Sequence, residues 1–339
     1  MDPISQGVIG AALSSATARR KQLFSIACFG ALAGMAPDLD VLIQSSSDPL
    51  LFLEFHRQFS HSLIFIPFGA LLVALPLYRF TRHGLSWRES YLACLAGYAT
   101  HGLLDACTSY GTQLLWPFSN VRIAWNNASI VDPLFTIPLL ILVALAIRRQ
   151  QRQYGVIAMA WALAYSAVGW IQQERAVATA AAVAQHRGHV PQRLAVKPSF
   201  GNVLLFKSIY EAEGFYYVDA VRVGLDDKWC QGTRVAKFDR DKSYPNLPRD
   251  TQQSLDIERF RWFSNDYLAQ DSNGRIVDMR YSMVPNQIDA MWGISVNPQT
   301  PDQHVQWWAQ RSLGKAEQST FYDLLAGTNC FQKPRDTTP

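Results

Sequence analysis

The sequence predicts an α-helical multi-pass membrane domain of about six helices over residues 1–172, followed by a smaller β-rich (α+β) extracytoplasmic domain over residues 173–339. Three observations predict it. Up to about Gln172 the chain is a series of apolar runs separated by short basic clusters. Beyond that point it is polar, with Trp, Tyr, Pro and Asp throughout. The Lys and Arg sit beside the apolar runs rather than in one patch, so the net charge of +4 suits membrane flanks and not nucleic acid.

Residues 4–18 form the first apolar run, rich in Gly, Ala and Ser. Arg19-Arg20-Lys21 follows it, whereas a secretory signal would place its basic residues first. The run is short for a span, and a re-entrant or tilted helix is the competing reading. The second run, 24–43, ends in Pro37-Asp38-Leu39-Asp40. A polar loop leads to the third run, 62–80, flanked by Arg79, Arg82 and Arg88. The fourth, 91–110, carries His101 and Asp105 at its far end. The fifth, 130–147, opens with Asp132-Pro133 and is closed by Arg148, Arg149 and Arg152; the sixth is 154–171. Each of the last five approaches the ~20 residues a bilayer requires.

Alternate loops divide the basic residues unequally. One side collects Arg19, Arg20, Lys21, Arg79, Arg82, Arg88, Arg148, Arg149 and Arg152, and the other short loops hold only Arg57 and Arg122. The first set is expected in the cytoplasm. Six crossings from the opposite side put the polar tail in the periplasm, with the protein in the cell inner membrane. In the tail, residues 176–185 read as helix, 203–210, 215–223 and 274–284 as strands, and 259–269 as a short helix. Cys28, Cys94 and Cys107 lie in apolar runs; Cys230 and Cys330 are the two of the polar half, in a compartment where a disulfide is open to them. No CxxC is present, so a structural zinc knuckle has no support.

Helical rise places the polar residues of these runs at one depth. At about 1.5 Å per residue, His101 and Asp105 lie ~20 and ~25 Å from Arg88, Asp38 and Asp40 ~25–28 Å beyond Lys21, and His61 ~27 Å from Arg79. By the same measure Asp132 lies ~24 Å from Arg148 and Gln6 ~20 Å from Arg19. His101 and Asp105, four apart, share a helix face. Asp38 and Asp40 converge only if Pro37 makes the turn irregular. His56 and His61 bracket Arg57 and Ser60. The candidate metal ligands are therefore Asp38, Asp40, His56, His61, His101 and Asp105. Such a mixture of imidazole and carboxylate suits zinc first, then manganese or iron. Asp40 or Asp105 is the candidate general base, and Arg57 complements an anionic group such as phosphate. The competing structural readings are a buried His–Asp packing pair at His101 and Asp105, an interfacial anchor at Arg57 and a helix cap at Asp132. His83, His186, His189 and His304 have no carboxylate at ligand spacing and read as surface histidines. No Gly-x-Ser-x-Gly occurs.

These motifs in order resemble the YdjM-like family over roughly residues 1–150: Met1-Asp-Pro-Ile-Ser-Gln-Gly, Pro37-Asp-Leu-Asp40, His56-Arg-Gln-Phe-Ser-His61-Ser, His101-Gly-Leu-Leu-Asp105 and Leu-Leu-Trp-Pro-Phe118. Arg261-Trp-Phe and Asp278-Met-Arg-Tyr resemble the longer members. Members are described as LexA-binding, inner-membrane-associated proteins, assigned by inference as metal-dependent hydrolases. The resemblance implies a multi-pass inner-membrane protein whose ligands would be the six residues above. Many relatives carry His where this chain has Gln6, and some where it has Val41. The expectation is a membrane-embedded metal-dependent hydrolase acting near the periplasmic face on an ester or phosphoester, with a lipid or lipid-linked compound as substrate. A non-catalytic metal-stabilised scaffold or regulator is the alternative. An ion transporter fits less well, because the ionisable residues gather on one side.

Overall fold

An apolar stretch must satisfy its backbone polar groups internally, and the first half of this chain does so as helix. The computed structural model describes residues 1–18, 22–80, 84–310, 312, 314–328 and 330–332. The chain divides into two units. The first comprises Met1–Ile43, Phe55–Ile171 and Phe200–Asn202; the second comprises Gln44–Glu54, Gln172–Ser199 and Val203–Pro339.

All six apolar runs become helix: α1 (Pro3–Thr17), α2 (Leu23–Met35) with a 3-10 extension (Ala36–Leu42), then, after the short α3 (Leu51–Phe55), α4 (Ile66–Phe80), α5 (Trp87–Cys107), α6 (Pro133–Arg149) and α7 (Gln153–His186). Their starts follow local chemistry. Asp2 caps α1 through the amides of Ile4 and Ser5, with Pro3 in the first turn. Ser86 and Glu89 form a capping box on α5. Asp132 caps α6 ahead of Pro133 and accepts the Tyr165 hydroxyl at 2.7 Å, so its role is structural. At the α2–α5 crossing, a Cβ on Gly97 would stand 2.1 Å from the Gly30 carbonyl oxygen. Only glycine permits that approach.

This unit carries polar groups inside and apolar ones outside. Gln6, Ser14, Ser15, Thr100, His101 and Asp105 are buried, whereas Phe68, Leu72, Leu134, Ile141, Leu163 and Ile171 are exposed. Such an exterior suits lipid. Among the described residues, two helices are long and apolar enough to cross a membrane, Leu23–Leu42 and Gln153–His186. A third candidate, Leu51–His61 with Leu63–Arg79, is bent by 56°. Fewer helices qualify than the six runs suggested, since α1, α4 and α6 have 15, 15 and 17 residues and α5 carries His101 and Asp105 as well as Arg88 and Glu89. Of the basic residues that set the expected orientation, Arg19, Arg20, Lys21 and Arg82 lie outside the described residues, as does His83.

The second unit is β-rich. β1 (Arg193–Pro198), β2 (Leu205–Ala212), β3 (Phe215–Val223), β4 (Asp227–Cys230) and β5 (Arg234–Ala236) come first. α8 (Arg240–Ser243), α9 (Gln252–Phe263), β6 (Leu268–Gln270), β7 (Ile276–Asp278), β8 (Trp292–Ser295), β9 (Gln306–Ala309), α10 (Lys315–Ala326) and β10 (Phe331–Gln332) follow. One sheet has the order β1-β2-β3-β4-β10, with β5 beside β3; the other runs β6-β7-β8-β9. Ala176, Ala180 and Val183 of α7 pack on Val196, Phe206 and Val221 of the first sheet. Ile209, Tyr216 and Val218 of that sheet meet Tyr267, Val277 and Met279 of the second-sheet segment. Arg259 on α9 holds the Gln44–Glu54 segment, pairing with Asp48 at 2.8 Å and Glu54 at 2.6 Å.

Three expectations shift. The sixth run and the Ala-rich stretch are one unbroken helix, because no Gly or Pro interrupts residues 170–186. The helix expected at 259–269 instead spans Gln252–Phe263, ending before Asn265 and Asp266, which adopt positive φ. The strand expected over 274–284 stops at Asp278, whose carboxylate turns the chain by accepting the Arg280 amide. His304 also differs from a free surface histidine: its Nδ1 lies 2.9 Å from Asp256 of α9. Cys230 and Cys330 are bridged, enclosing a sequence separation of 100 residues. Loop-closure entropy makes such a bridge worth about 2–5 kcal/mol. Reduction should therefore lower the thermal midpoint of the polar domain by several degrees, and an unchanged midpoint after verified thiol release would refute this.

Candidate metal centre

The site is assembled from three local pieces, each shaped by its own sequence. Pro37 lies in the 3-10 turn that continues α2 and places Asp38 and Asp40 on opposite sides of one imidazole. Asp38 Oδ1 lies 3.5 Å from His61 Nε2, and Asp40 Oδ2 lies 3.2 Å from His61 Nδ1. The second piece is the His56–His61 segment. Arg57 there adopts φ 65°, a strained conformation for a long side chain, and its amide donates to Asp40 Oδ2 at 3.0 Å. The third is α5, on which His101 and Asp105 share a face at 3.8 Å.

Hydrogen bonds fix both imidazoles. His101 Nδ1 is 2.6 Å from the Gly34 carbonyl oxygen, which only accepts, so Nδ1 carries the hydrogen. His61 Nδ1 faces the Asp40 carboxylate and, at 3.0 Å, the Ser60 hydroxyl, which itself donates to Asp40 at 2.7 Å. The same assignment follows. In the neutral tautomers both Nε2 atoms then present lone pairs, and they stand 2.9 Å apart in a buried setting. Two lone pairs at that distance call for a cation or a proton between them.

Two carboxylates complete the group. Asp105 Oδ2 is 3.2 Å from His61 Nε2, and Asp38 Oδ1 is 3.4 Å from His101 Nε2. Asp38, His61, His101 and Asp105 all offer ligand atoms within 4.8 Å of one another. Four donors each about 2.0–2.1 Å from one ion stand ~3.3 Å apart in a tetrahedron. Five of the six separations, at 2.9–3.8 Å, scatter around that value, and the sixth, between the Asp38 and Asp105 oxygens, is within 4.8 Å. Asp105 Oδ2 is buried and lies 2.9 Å from Arg57 Nε without hydrogen-bond geometry, which leaves the oxygen an open acceptor toward the cluster. This buried cluster can hold a divalent metal.

Asp40 and His56, the other two candidates, stand one step back. His56 Nδ1 meets Asp40 Oδ1 at 2.7 Å, and Asp40 also receives Arg57, Ser60 and His61. Asp40 thus orients His61, as a carboxylate on the far nitrogen orients a metal-bound histidine. Arg57 Nε lies 2.9 Å from Asp105 Oδ2, its Nη1 donates to Thr108 Oγ1 at 3.0 Å, and its guanidinium covers the Tyr110 ring at 4.8 Å. Gln6 Nε2 donates to Asp105 Oδ1 at 2.8 Å, and the Met1 amine donates to the same oxygen. The Met1 amine and the Gly34 carbonyl carried no sequence signal, being backbone groups. Thr108 and Tyr110 lie within the stretch that holds His101 and Asp105, and their offset from Asp105 was the available clue.

Gly102 decides whether the pieces meet. A Cβ there would lie 2.3 Å from the His61 carbonyl oxygen. Gly102→Ala should push the His61 segment off α5, with an overpacking cost of about 1–3 kcal/mol. The expected result is loss of bound metal with helical circular dichroism retained; full metal retention would show that the backbone contact is dispensable.

A family model described as "YdjM inner membrane protein" matches residues 1–176, a range that includes every residue of this cluster. Among curated proteins, "Uncharacterized protein YfhP" of Bacillus subtilis (strain 168) is 29% identical over 115 residues, 34% of this chain. The matched region is 35% of that relative. No solved structure matches the chain.

Proposed function

The chain belongs to the YdjM inner membrane protein family, and on that premise we propose that it is a membrane-embedded, metal-dependent hydrolase with an ion held by Asp38, His61, His101 and Asp105. The facing Nε2 atoms at 2.9 Å, flanked by two carboxylates, carry this reading. Zinc is the first choice for two imidazoles and two carboxylates, with manganese and iron behind it. Such an ion would supply a water of lowered pKa and a Lewis acid for an ester or phosphoester. Arg57 is assigned to the anionic part of the substrate, since its guanidinium already reaches the cluster. Asp40 is held by several donors and serves as a positioning residue, while Asp105, held by Gln6 and Arg57, serves as a ligand. Asp38 is 22% exposed at its side chain, against 0–1% for Asp105 and Asp40, so proton exchange with the substrate side falls to it.

The reading extends to topology: six crossings, a site near the periplasmic face, a periplasmic C-terminal domain and a lipid-linked substrate. The asymmetry of basic residues supports it, and so does the Cys230–Cys330 bridge, which belongs to an oxidising compartment. Alkaline phosphatase fused after Lys333 should be active. Activity of a cytoplasmic reporter at the same point instead would reverse the orientation.

A metal-stabilised scaffold is the second reading, favoured by the pairing of Asp105 with Arg57 and Gln6. Both readings require a shared ion, and a shared ion is non-additive. Purified wild type should contain metal, His61→Ala and His101→Ala should each lose most of it, and the double variant should lose little more. A metal-free wild type would leave a proton shared between the imidazoles as the explanation of the cluster. Turnover on phosphoester and carboxylester panels, abolished by the same variants, separates hydrolase from scaffold.

A further inference from the structure

The Asp278-Met-Arg-Tyr281 motif takes no part in the metal centre, yet it is among the most polar parts of the second unit's interior. Asp278 and Arg280 are buried, and Arg280 grips Asp278 through Nε at 2.9 Å and Nη2 at 2.7 Å. Trp292 Nε1 donates to the same carboxylate at 3.2 Å. Two lysines join them. Lys197 of β1 lies directly opposite Lys207 of β2 in the antiparallel register, so both side chains leave the same face of the sheet. Lys197 is 6% exposed and Lys207 5%.

The charges do not balance. Three basic side chains, Lys197, Lys207 and Arg280, stand against two carboxylates, the buried Asp278, which Arg280 already pairs with, and the exposed Asp289, which acts on Lys207. Like charges directly opposite on neighbouring strands destabilise a sheet, and burial makes the cost larger. Lys207 Nζ donates to Ser282 Oγ at 2.6 Å and to the Gln287 carbonyl oxygen at 2.7 Å, which uses two of its three hydrogens. Among the described residues, Lys197 Nζ meets no hydrogen-bond acceptor; it lies over the Tyr281 ring at 4.7 Å. Gln287, whose carbonyl holds Lys207, also lines a cavity of about 480 Å³ together with Met279, Met283, Ile288 and Asp289.

We propose that Lys197, Lys207 and the Asp278–Arg280 pair form a binding site for a small free oxyanion of the phosphate or sulfate type in the C-terminal domain. An oxyanion offers acceptors to the bare Lys197 ammonium and to the remaining Lys207 hydrogen, and it cancels the excess charge. Burial pushes the Lys207 ammonium down to about 7; it also pushes the Lys197 ammonium well below its usual range, and there Arg280 adds to the shift. A bound anion reverses both effects by favouring the charged amines. The enclosure of all four side chains favours a free ion over an esterified one.

The test uses the full chain in detergent micelles. Thermal midpoints are measured against sodium phosphate, against sodium chloride of equal ionic strength, and against glycerol 3-phosphate, for wild type, Lys197→Met and Lys207→Met. The expected result is a saturable rise of several degrees with phosphate in wild type alone. The variants should keep only the gradual, non-saturating stabilisation that phosphate gives any protein. An identical phosphate response in all three proteins overturns the site. So does a wild type without response whose Met variants are more stable, which makes the lysines neutral packing groups. An equal rise with glycerol 3-phosphate overturns the free ion and assigns a phosphate ester. Should the variants fail to fold, equilibrium dialysis of labelled phosphate against wild type decides: about one ion per chain supports the site, and none refutes it.

Discussion

The helical half of this protein is organised around two buried imidazoles that face each other through their Nε2 atoms. Each ring is immobilised from behind, His101 by the Gly34 carbonyl and His61 by Asp40 and Ser60. That arrangement has a strong local consequence. Unprotonated nitrogens cannot stay at such a distance in a dry interior without positive charge between them. Asp38 and Asp105 stand where an ion's remaining ligands would be. Four elements are thereby tied to one point: the turn after α2, the His56–His61 segment, α5, and α1 through Gln6.

The surrounding architecture serves this polar centre by inverting the usual soluble pattern. Apolar side chains cover the outside of the helical unit, and hydroxyl, amide and ionisable groups lie inside it beside its apolar core. Small residues allow the necessary closeness: Gly97 admits the α2 backbone, and Gly102 admits the His61 backbone. A substitution that adds a single carbon at either place separates helices that must touch for the ligands to converge. The strain at Arg57 belongs to the same set of constraints, since its positive φ turns its amide toward Asp40 while its guanidinium reaches Asp105.

The C-terminal unit uses different means. A disulfide joins β4 to the end of the chain, and its two sheets enclose a conventional apolar core. Against that background the facing lysines and the Asp278–Arg280 pair stand apart from the unit's other buried charges: Glu211, Asp219 and Asp256 each meet a basic partner, whereas two lysines here face each other. Arg259 shows another use of charge: one guanidinium binds Asp48, Glu54 and Asp256 together, so a segment encoded early in the chain folds with the late one.

Much of this was legible in the sequence. Apolar runs located α1, α2 and α4 to α7, since helix formation there depends on local periodicity, and Asp132 was legible as a cap, whereas the short α3 fell within what the sequence reads as a polar loop. Residue type and the helical rise along each apolar run identified the pool of candidate ligands, because both can be read from one run at a time. Tertiary structure alone decided the roles within that pool. His61 presents one nitrogen to Asp40 and the other to Asp38 and Asp105, and no spacing rule distinguishes those two sides of a ring. The same holds for Lys197 and Lys207, ten positions apart and unremarkable until strand register sets them face to face. Sequence spacing reports what one element does. Which atoms share a buried volume depends on how the elements pack, and that is set by backbone contacts at glycine and by pairing between distant strands.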